Sequence, residues 1–278
     1  MKIQILGTAA AEGVPGIFCD CKTCQFAREH KGREIRTRSQ ALIDGKLLID
    51  FPPDTYMHCL TNDINLSKIQ HCLVTHNHQD HLYMEDIRMK MPGFGLQGYP
   101  ITFYGLEGTM RAINSYLHAQ MIDPSEVAKV QPLALYEPTK IAGYKVTALK
   151  AWHDEKATPC IYAIEDSEGK AILYGNDTNY FYEEVFDYLE KNPIRFDLVL
   201  LDCTFGLLPE MTWIGHMNLN DNIKVAERLK KLGCADEKTL FCSHHFSHNA
   251  VGVTYAEFSK AAEEKGFLTS YDGMVIEV

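Results

Sequence analysis

The stretch T-H-N-H-Q-D-H at residues 75–81 decides how this sequence is interpreted. It comes at the end of residues 69–75, a short apolar run that predicts a buried strand. Residues two apart on an extended backbone point the same way, so His76 and His78 can reach one cation. Asp80 and His81 lie where the chain turns and can face a second cation. Imidazole and carboxylate ligands suit Zn²⁺, Mn²⁺ or Fe²⁺. The stretch therefore predicts a two-metal centre, the alternative being a polar loop of solvated histidines.

Two such metals need more ligands than these four side chains, and further candidates stand just after other predicted strands. They are His153, after residues 144–149, Asp177, after residues 171–175, and His244 and His245, after residues 240–242. An aspartate in this position is most often a turn former. The shared position at strand ends nevertheless favours a common metal site.

The order of predicted elements indicates the fold class. We expect strands at residues 2–6, 40–43, 46–49, 69–75, 101–104, 144–149, 160–165, 171–175, 198–202, 240–242 and 274–277, and helices at residues 107–119, 182–191, 219–232 and 255–265. Asp44-Gly45 favours a tight hairpin, and Asn218 is placed as a helix N-cap. Strands that alternate with helices predict an α/β or α+β fold with helices on the outer faces of sheets. No repeat or linker interrupts residues 1–278, so we expect one domain.

Composition and charge exclude several classes of protein. The 46% hydrophobic and 23% charged residues are typical of a globular chain and exclude collagen-like, coiled-coil and disordered classes. A net charge of −10 disfavours non-specific binding to nucleic acid or to an anionic membrane. No apolar stretch approaches the roughly 18–20 residues of a membrane span, and the N-terminus is too short and polar for a signal peptide. We expect a cytoplasmic enzyme.

Three of the nine cysteines are crowded together at Cys19, Cys21 and Cys24. Three thiolates in six residues are one ligand short of a tetrahedral structural zinc site. The alternative is a set of free, partly buried thiols. The other six cysteines mostly lie in apolar runs, where cysteine is a small core residue.

The sequence contains the pattern His-x-His-x-Asp-His, and then a histidine, an aspartate and a histidine that each come after a predicted strand. This combination resembles the metallo-β-lactamase fold superfamily. The resemblance implies an αββα sandwich of two mixed sheets with a two-metal site along one edge. It also implies the ligand sets: His76, His78 and His153 would hold one metal, Asp80, His81 and His245 would hold the other, and Asp177 would bridge both.

Three further features resemble the PhnP-like phosphodiesterases, which open a cyclic phosphate on ribose. They are Gly13-Val14-Pro15 with the three cysteines, the Gly215-His216 turn before a helix, and His245-Phe246-Ser247-His248. This resemblance implies a structural zinc on Cys19, Cys21, Cys24 and His248, in an N-terminal loop around residues 13–24. It also implies that His216 acts as an acid near the leaving group, the alternative being a turn histidine. His216 and Asp80 are the candidate catalytic residues.

The resulting hypothesis is hydrolysis of a small or cyclic (ribose) phosphodiester by a hydroxide that two divalent metal ions, Zn or Mn, activate. One structural Zn is expected in addition, and neither nucleic acid nor a membrane is an expected partner. Related enzymes often form dimers, so a homodimer is a further expectation. The alternatives are a tRNase Z-like tRNA 3′-end endonuclease, which the net charge of −10 disfavours, thioester or lactam hydrolysis, and a PqqB-like non-hydrolytic carrier. The intact ligand set argues against a carrier.

Overall fold

The structure is a computed structural model that describes residues 1–95, 99–209, 215–249 and 253–278. The described residues form two sheets of seven strands each. The first sheet has the spatial order β14-β1-β2-β3-β4-β5-β6, with β1 (Lys2–Gly7), β2 (Gln40–Ile43), β3 (Leu47–Ile49), β4 (His71–Leu73), β5 (Ile101–Leu106), β6 (Ala128–Leu133) and β14 (Val275–Glu277). The second has the order β13-β12-β11-β10-β9-β8-β7, with β7 (Thr139–Ile141), β8 (Tyr144–Lys150), β9 (Cys160–Glu165), β10 (Ala171–Gly175), β11 (Leu198–Asp202), β12 (Leu240–His244) and β13 (Phe267–Thr269).

Helices connect the strands and cover the sheets. In the described part of the chain they are α1 (Lys22–His30), α2 (Thr55–Thr61), α3 (Glu107–Ala119), α4 (Pro124–Val127), α5 (Glu183–Lys191), α6 (Leu219–Lys231) and α7 (Tyr255–Glu263). Short 3₁₀ helices lie at Gly32–Glu34, Leu66–Lys68, Met84–Lys90 and Glu155–Ala157. The predicted cap of α6 is confirmed, because the side chain of Asn218 accepts a hydrogen bond from the backbone of Asp221.

Three apolar layers hold the sheets and helices together. Between the two sheets, side chains such as Ile3 and Ile43 pack with Val146 and Ile164. The outer face of the first sheet packs against α3, and the outer face of the second packs against α5, α6 and α7. The predicted αββα sandwich is therefore confirmed, and both sheets are mixed, since each combines antiparallel and parallel pairs.

Strand direction positions the candidate site. In the second sheet β8, β10, β11 and β12 all run the same way, because β8 and β10 are each antiparallel to β9, and β10, β11 and β12 are parallel. Their carboxyl ends consequently meet at one edge. In the first sheet β3 and β4 are parallel to each other, so the segments that follow them also leave from one edge.

Both faces of the second sheet are covered, and its central strands β10 and β11 are buried at every position. Continuous apolar strands of this kind are typical of sheets between two layers. Among the described residues, no helix has the length and apolar character that crossing a membrane would take.

Candidate metal centre

A first cluster of nitrogen atoms is formed by His76 and His78, after β4, and His153, after β8. Nδ1 of His78 lies 2.9 Å from Nε2 of His76 and 3.2 Å from Nε2 of His153. Two imidazole nitrogens bound to one zinc ion in a tetrahedron, each at about 2.0–2.1 Å, are about 3.4 Å apart. The three nitrogens are therefore spaced close to what a shared ion requires.

A second cluster is formed by Asp80, His81, Asp177 and His245. Nε2 of His81 lies 2.6 Å from Oδ2 of Asp177, and Nε2 of His245 lies 3.2 Å from the same oxygen. Despite these short distances, neither nitrogen has a hydrogen-bond partner in the described part of the chain. Buried polar atoms without a partner are rare in folded proteins. A cation between them would satisfy both nitrogens, so the residues fit a metal.

The carboxylate of Asp177 joins the two clusters. Its Oδ2 lies 3.6 Å from Nε2 of His76, in the first cluster, and is shared by His81 and His245 in the second. The structure thus brings together all seven side chains that the sequence indicated for the two metals: His76, His78, Asp80, His81, His153, Asp177 and His245. Metal binding by each of them stays a prediction.

The charges around the second cluster favour cations. Burial lowers the pKa of His81, but the carboxylates of Asp80, Asp50 and Asp177 outweigh it and raise the pKa well above its ordinary value. His245 behaves alike: burial lowers its pKa, yet Asp177 and Asp202 raise it to about 10. The protein therefore concentrates negative charge here, which either protons or metal ions must balance.

By contrast, the first cluster favours neutral imidazoles. Burial, followed by the charge of His81, lowers the pKa of His76 well below its ordinary value. Burial also lowers the pKa of His153. A neutral imidazole is the form that binds a metal, so His76 and His153 are ready to act as ligands at neutral pH.

A second ring of polar groups orients the imidazoles. Oδ2 of Asp50 lies 2.7 Å from Nδ1 of His81, which fixes the tautomer that leaves Nε2 free to face the cluster. Asp50 is itself held by the backbone N–H and the hydroxyl of Thr75, at 2.8 and 3.0 Å. Nδ1 of His153 donates to the carbonyl oxygen of Gly215 at 3.2 Å. Gly215 has a φ of +113°, and a Cβ there would lie 3.0 Å from Nδ1 of His153. A side chain at this position would therefore disturb the histidine.

His216 is held beside the clusters by Asp202 and Thr204. Its Nδ1 lies 3.0 Å from Oδ2 of Asp202 and 3.1 Å from the hydroxyl of Thr204. Burial lowers the pKa of His216, but the carboxylate of Asp202 outweighs it and raises the pKa above its ordinary value. Asp202 and Thr204 also contact Nδ1 of His245, at 3.3 and 2.9 Å. One carboxylate therefore orients both a candidate ligand and the candidate acid.

Three of these residues have left-handed backbone conformations. The φ angles are +65° at Asp50, +49° at Asp177 and +60° at His245. Such conformations are uncommon outside glycine and cost about 1–3 kcal/mol each where the surrounding structure imposes them. Each of the three residues follows the end of a strand. The left-handed turn there directs its side chain to the edge at which the two donor clusters lie.

The predicted structural zinc residues also come together. Sγ of Cys19 and Sγ of Cys21 lie 3.5 and 3.6 Å from Nδ1 of His248. In a tetrahedral zinc site, with Zn–S of about 2.3 Å and Zn–N of about 2.05 Å, sulfur and nitrogen are about 3.6 Å apart. Cys24, on α1, completes the group within 4.8 Å. Burial raises the pKa of Cys21, but hydrogen bonds, first from the backbone of Cys24, lower it to about 6. The residues therefore fit a zinc ion.

A cavity of about 710 Å³ opens onto the two clusters. His78, Asp80, His153, Asp177, His216 and His245 line it on one side, and Ala10, Ala11, Glu12, Thr204, Phe205, Leu208, Ser247 and Asn249 form the rest of its described wall. Another cavity, of about 730 Å³, lies near Met89 and Pro100 and contains none of the candidate ligands. The first is large enough for a nucleotide-sized ligand, and it combines this volume with the candidate chemistry.

Sequence reasoning missed the roles of Asp50, Asp202 and Thr204. The available signal was the position of the aspartates, since Asp50 follows β3 and Asp202 ends β11, as Asp177 follows β10. His244, which was weighed together with His245, points elsewhere: its Nδ1 lies 2.9 Å from the hydroxyl of Ser270.

Comparison with protein families gives a match over most of the chain. A family model described as "Beta-lactamase superfamily domain" matches residues 46–245. Coenzyme PQQ synthesis protein B of Methylobacterium radiotolerans is 30% identical over 164 residues, which are 53% of this chain and 51% of that protein. The protein of the same name from Methylorubrum extorquens is 23% identical over 100% of both chains.

Solved structures share the fold. A crystal structure described as a new diphosphatase from the PhnP family has a TM-score of 0.76 at 23% identity and covers 100% of this chain and 97% of that one. Zn²⁺-bound PqqB from Methylobacterium extorquens has a TM-score of 0.78 at 21% identity, with 100% of both chains covered. The short form of human tRNase Z has a TM-score of 0.66 at 17% identity over 100% and 99% of the two chains.

Proposed function

Because the chain belongs to the beta-lactamase superfamily, we propose that it is a metal-dependent hydrolase that cleaves a small or cyclic phosphodiester, such as a cyclic phosphate on ribose. One observation carries the proposal. Two donor clusters share Oδ2 of Asp177, and His216 stands beside them on the wall of a cavity of about 710 Å³.

Seven side chains would hold two divalent cations, Zn²⁺ or Mn²⁺: His76, His78 and His153 for one, Asp80, His81 and His245 for the other, and Asp177 for both. Bound there, the cations would supply positive charge to the phosphate oxygens and lower the pKa of water. A further Zn²⁺ would be held by Cys19, Cys21, Cys24 and His248. In a chain of net charge −10, such local charge is what permits an anionic substrate to bind.

His216 is the residue we assign to proton transfer. Its Nδ1 is engaged by Asp202 and Thr204, so its Nε2 is the nitrogen left for the substrate. In the reaction a water molecule loses one proton to solvent, and solvent later restores the proton of His216. The oxygen of that water forms a new bond to phosphorus, and the bond from phosphorus to the leaving oxygen breaks. His216 gives that leaving oxygen its proton, as a general acid does. Asp202 supports the step because its charge favours the protonated imidazole.

A second candidate function is the PqqB-like non-hydrolytic carrier role, which the sequence left open and which we keep because the sequence relatives are named for the synthesis of coenzyme PQQ. The relatives from Methylobacterium radiotolerans and Methylorubrum extorquens are both named Coenzyme PQQ synthesis protein B. Against it stands the paired arrangement of His216 and Asp202, which binding alone does not need. A hydrolase turns over a phosphodiester substrate and a carrier does not, so a turnover assay distinguishes the two functions.

Metal analysis combined with a phosphodiesterase assay tests the proposal. The purified chain would be analysed for metals and assayed with bis(p-nitrophenyl) phosphate before and after treatment with a chelator. We expect about three metal ions per chain and turnover that chelation removes and Zn²⁺ or Mn²⁺ restores. A fully loaded protein without turnover on this substrate or on cyclic ribose phosphates would contradict the hydrolase and favour the carrier.

A further inference from the structure

Part of the cavity wall lies outside both donor clusters and carries a carboxylate. Glu12 stands there beside Ser247 and Asn249. The hydroxyl of Ser247 donates a hydrogen bond to Oε1 of Glu12, and Nδ2 of Asn249 donates to the same oxygen at 2.9 Å. Asn249 also donates its backbone N–H to the hydroxyl of Ser247 at 3.1 Å. The carboxylate is therefore fixed in position by one of its oxygens.

The charge of this carboxylate is not balanced by a lysine or arginine within the described residues. The basic group nearest to it there is Nε2 of His248, at 3.7 Å from Oε1. Hydrogen bonds in the described part of the chain reach Oε1 and leave Oε2 free to accept from another molecule. The side chain is 30% exposed, and the apolar side chains of Phe205 and Leu208 line the same cavity. Charges interact more strongly in such partly desolvated surroundings than in water.

We propose that Glu12 is a specificity-determining residue that selects against substrates with a second phosphate group. A phosphodiester at the donor clusters would extend one of its ester groups into the cavity. A neutral group that carries hydroxyls or amines can donate hydrogen bonds to Oε2 of Glu12, whereas a second phosphate would meet a fixed negative charge. The substrate class is thus a phosphodiester whose organic part is uncharged and polar. This inference rests on the proposed function.

Two matched probes test the selection. They are adenosine 2′,3′-cyclic phosphate with a free 5′-hydroxyl and the same nucleotide with a 5′-phosphate. KM is measured for each probe, or Ki against bis(p-nitrophenyl) phosphate where a probe is not turned over. Glu12→Gln keeps an oxygen that can accept from Ser247 and Asn249 but removes the charge. We expect the ratio of the constants for the phosphorylated and unphosphorylated probes to fall by at least about tenfold in this variant.

The control variant is Asp20→Asn, which removes one negative charge from the same N-terminal segment. The side chain of Asp20 is 85% exposed and pairs with Arg28 at 3.7 Å, so the probe ratio should stay at the wild-type value. Zinc content and melting temperature are measured for all three proteins, because a purely structural role of Glu12 beside His248 would change these and leave the ratio alone.

Three outcomes overturn the inference in distinguishable ways. A wild-type ratio in Glu12→Gln, with bis(p-nitrophenyl) phosphate still hydrolysed, overturns the role of Glu12 and leaves the proposed function intact. An equal shift in Asp20→Asn shows a general charge effect and also overturns that role. Failure of the metal-loaded wild type to hydrolyse any of the three substrates overturns the proposed function, and the inference with it.

Discussion

The Asp202→Asn variant should lose most of its turnover while it keeps the fold. Asp202 is fully buried, and its Oδ1 accepts from the backbone N–H groups of Thr204 and Met217 at 3.1 and 2.9 Å. An asparagine of the same shape keeps both bonds. Its amide nitrogen, however, replaces the oxygen that faces Nδ1 of His216 and Nδ1 of His245, at 3.0 and 3.3 Å. Each imidazole then meets a donor where it had an acceptor.

The size of the effect follows from the tautomers. A donor at this position drives the proton of each imidazole from Nδ1 to Nε2, which blocks the nitrogen that His245 turns to the second cluster. Comparable substitutions of an orienting aspartate cost about 10²–10⁴-fold in activity. Burial raises the pKa of Asp202, but His216 and His245 outweigh it and bring it to about 2. Compared with the ordinary 3.8, this corresponds to a net free energy of about 2 kcal/mol in favour of the charged carboxylate, with the cost of its burial already subtracted.

The assay is kcat and KM on bis(p-nitrophenyl) phosphate across pH, with metal content and melting temperature measured in parallel. Asp202 raises the pKa of His216. In the variant the loss of activity at high pH should therefore begin at lower pH, since the acid form of His216 is the one required. Asp197→Asn is the matched control at the opposite end of β11, where Asp197 accepts from the backbone of Ala171 at 3.0 Å. Activity of Asp202→Asn within about threefold of the wild type, with metals bound, would refute the reasoning.

The other predictions concern the two metal sites and one buried histidine. Asp80→Ala or His78→Ala should abolish turnover with little change in circular dichroism, and normal activity in either variant would contradict the two-metal centre. Cys21→Ser should lose one zinc ion and lower the melting temperature while it spares part of the activity; Cys59→Ser, outside the cysteine cluster, is the control, and unchanged zinc content would rule the site out. Burial lowers the pKa of His58 to about 4 from an ordinary 6.5. The unfolded chain therefore binds more protons between these values, and about 3 kcal/mol of unfolding free energy, fully present above pH 6.5, should be lost as the pH falls towards 4. Urea unfolding at pH 7 and pH 4.5 measures this loss, and an equal loss in His58→Gln would assign it to other groups.

Much of the fold was predictable because several of its strands are buried at nearly every position. The predicted strands Cys160–Glu165, Ala171–Gly175 and Leu198–Asp202 and the predicted helix Glu107–Ala119 have the bounds found in the structure. A continuous apolar run indicates a buried strand, and apolar residues at helical spacing indicate the buried face of a helix. The strand predicted at residues 69–75 is shorter, His71–Leu73, because the chain already begins to leave the sheet there.

Other elements carry sequence patterns that conflict with their environment. Helix α2 (Thr55–Thr61) was missed because it buries Thr55 and His58 and exposes Tyr56 and Leu60 by 70% and 66%. The apolar residues of this helix thus face solvent, so the spacing of apolar residues along the sequence does not indicate its buried face. Strand β6 was also missed: it lies at the edge of the first sheet and includes Pro132, a residue that is confined to such edges.

The candidate ligands were easier to predict than the residues that orient them. Three histidines and an aspartate at fixed spacing are rarely accidental, so residues 76–81 stood out. Asp50 and Asp202 did not, because a single aspartate after a strand looks like a turn former. Only the three-dimensional arrangement shows that each faces an imidazole, at 2.7 Å from His81 and 3.0 Å from His216.

The left-handed backbone at Asp50, Asp177 and His245 has a consequence for protein engineering. Aspartate and histidine are, with asparagine, the residues other than glycine that most often adopt this conformation, so few other side chains could stand at these positions. Asparagine tolerates the left-handed region better than most residues, and at Asp177 it would also remove a buried charge. Burial raises the pKa of Asp177, however, and the buried His245 and His81 outweigh it and lower the pKa well below its ordinary value. Removing one partner of a buried ion pair is destabilising. A metal-free scaffold with Asp177→Asn alone should therefore melt at a lower temperature than its parent. A designer of an inert, durable scaffold would therefore have to replace Asp177 together with the imidazoles that face it.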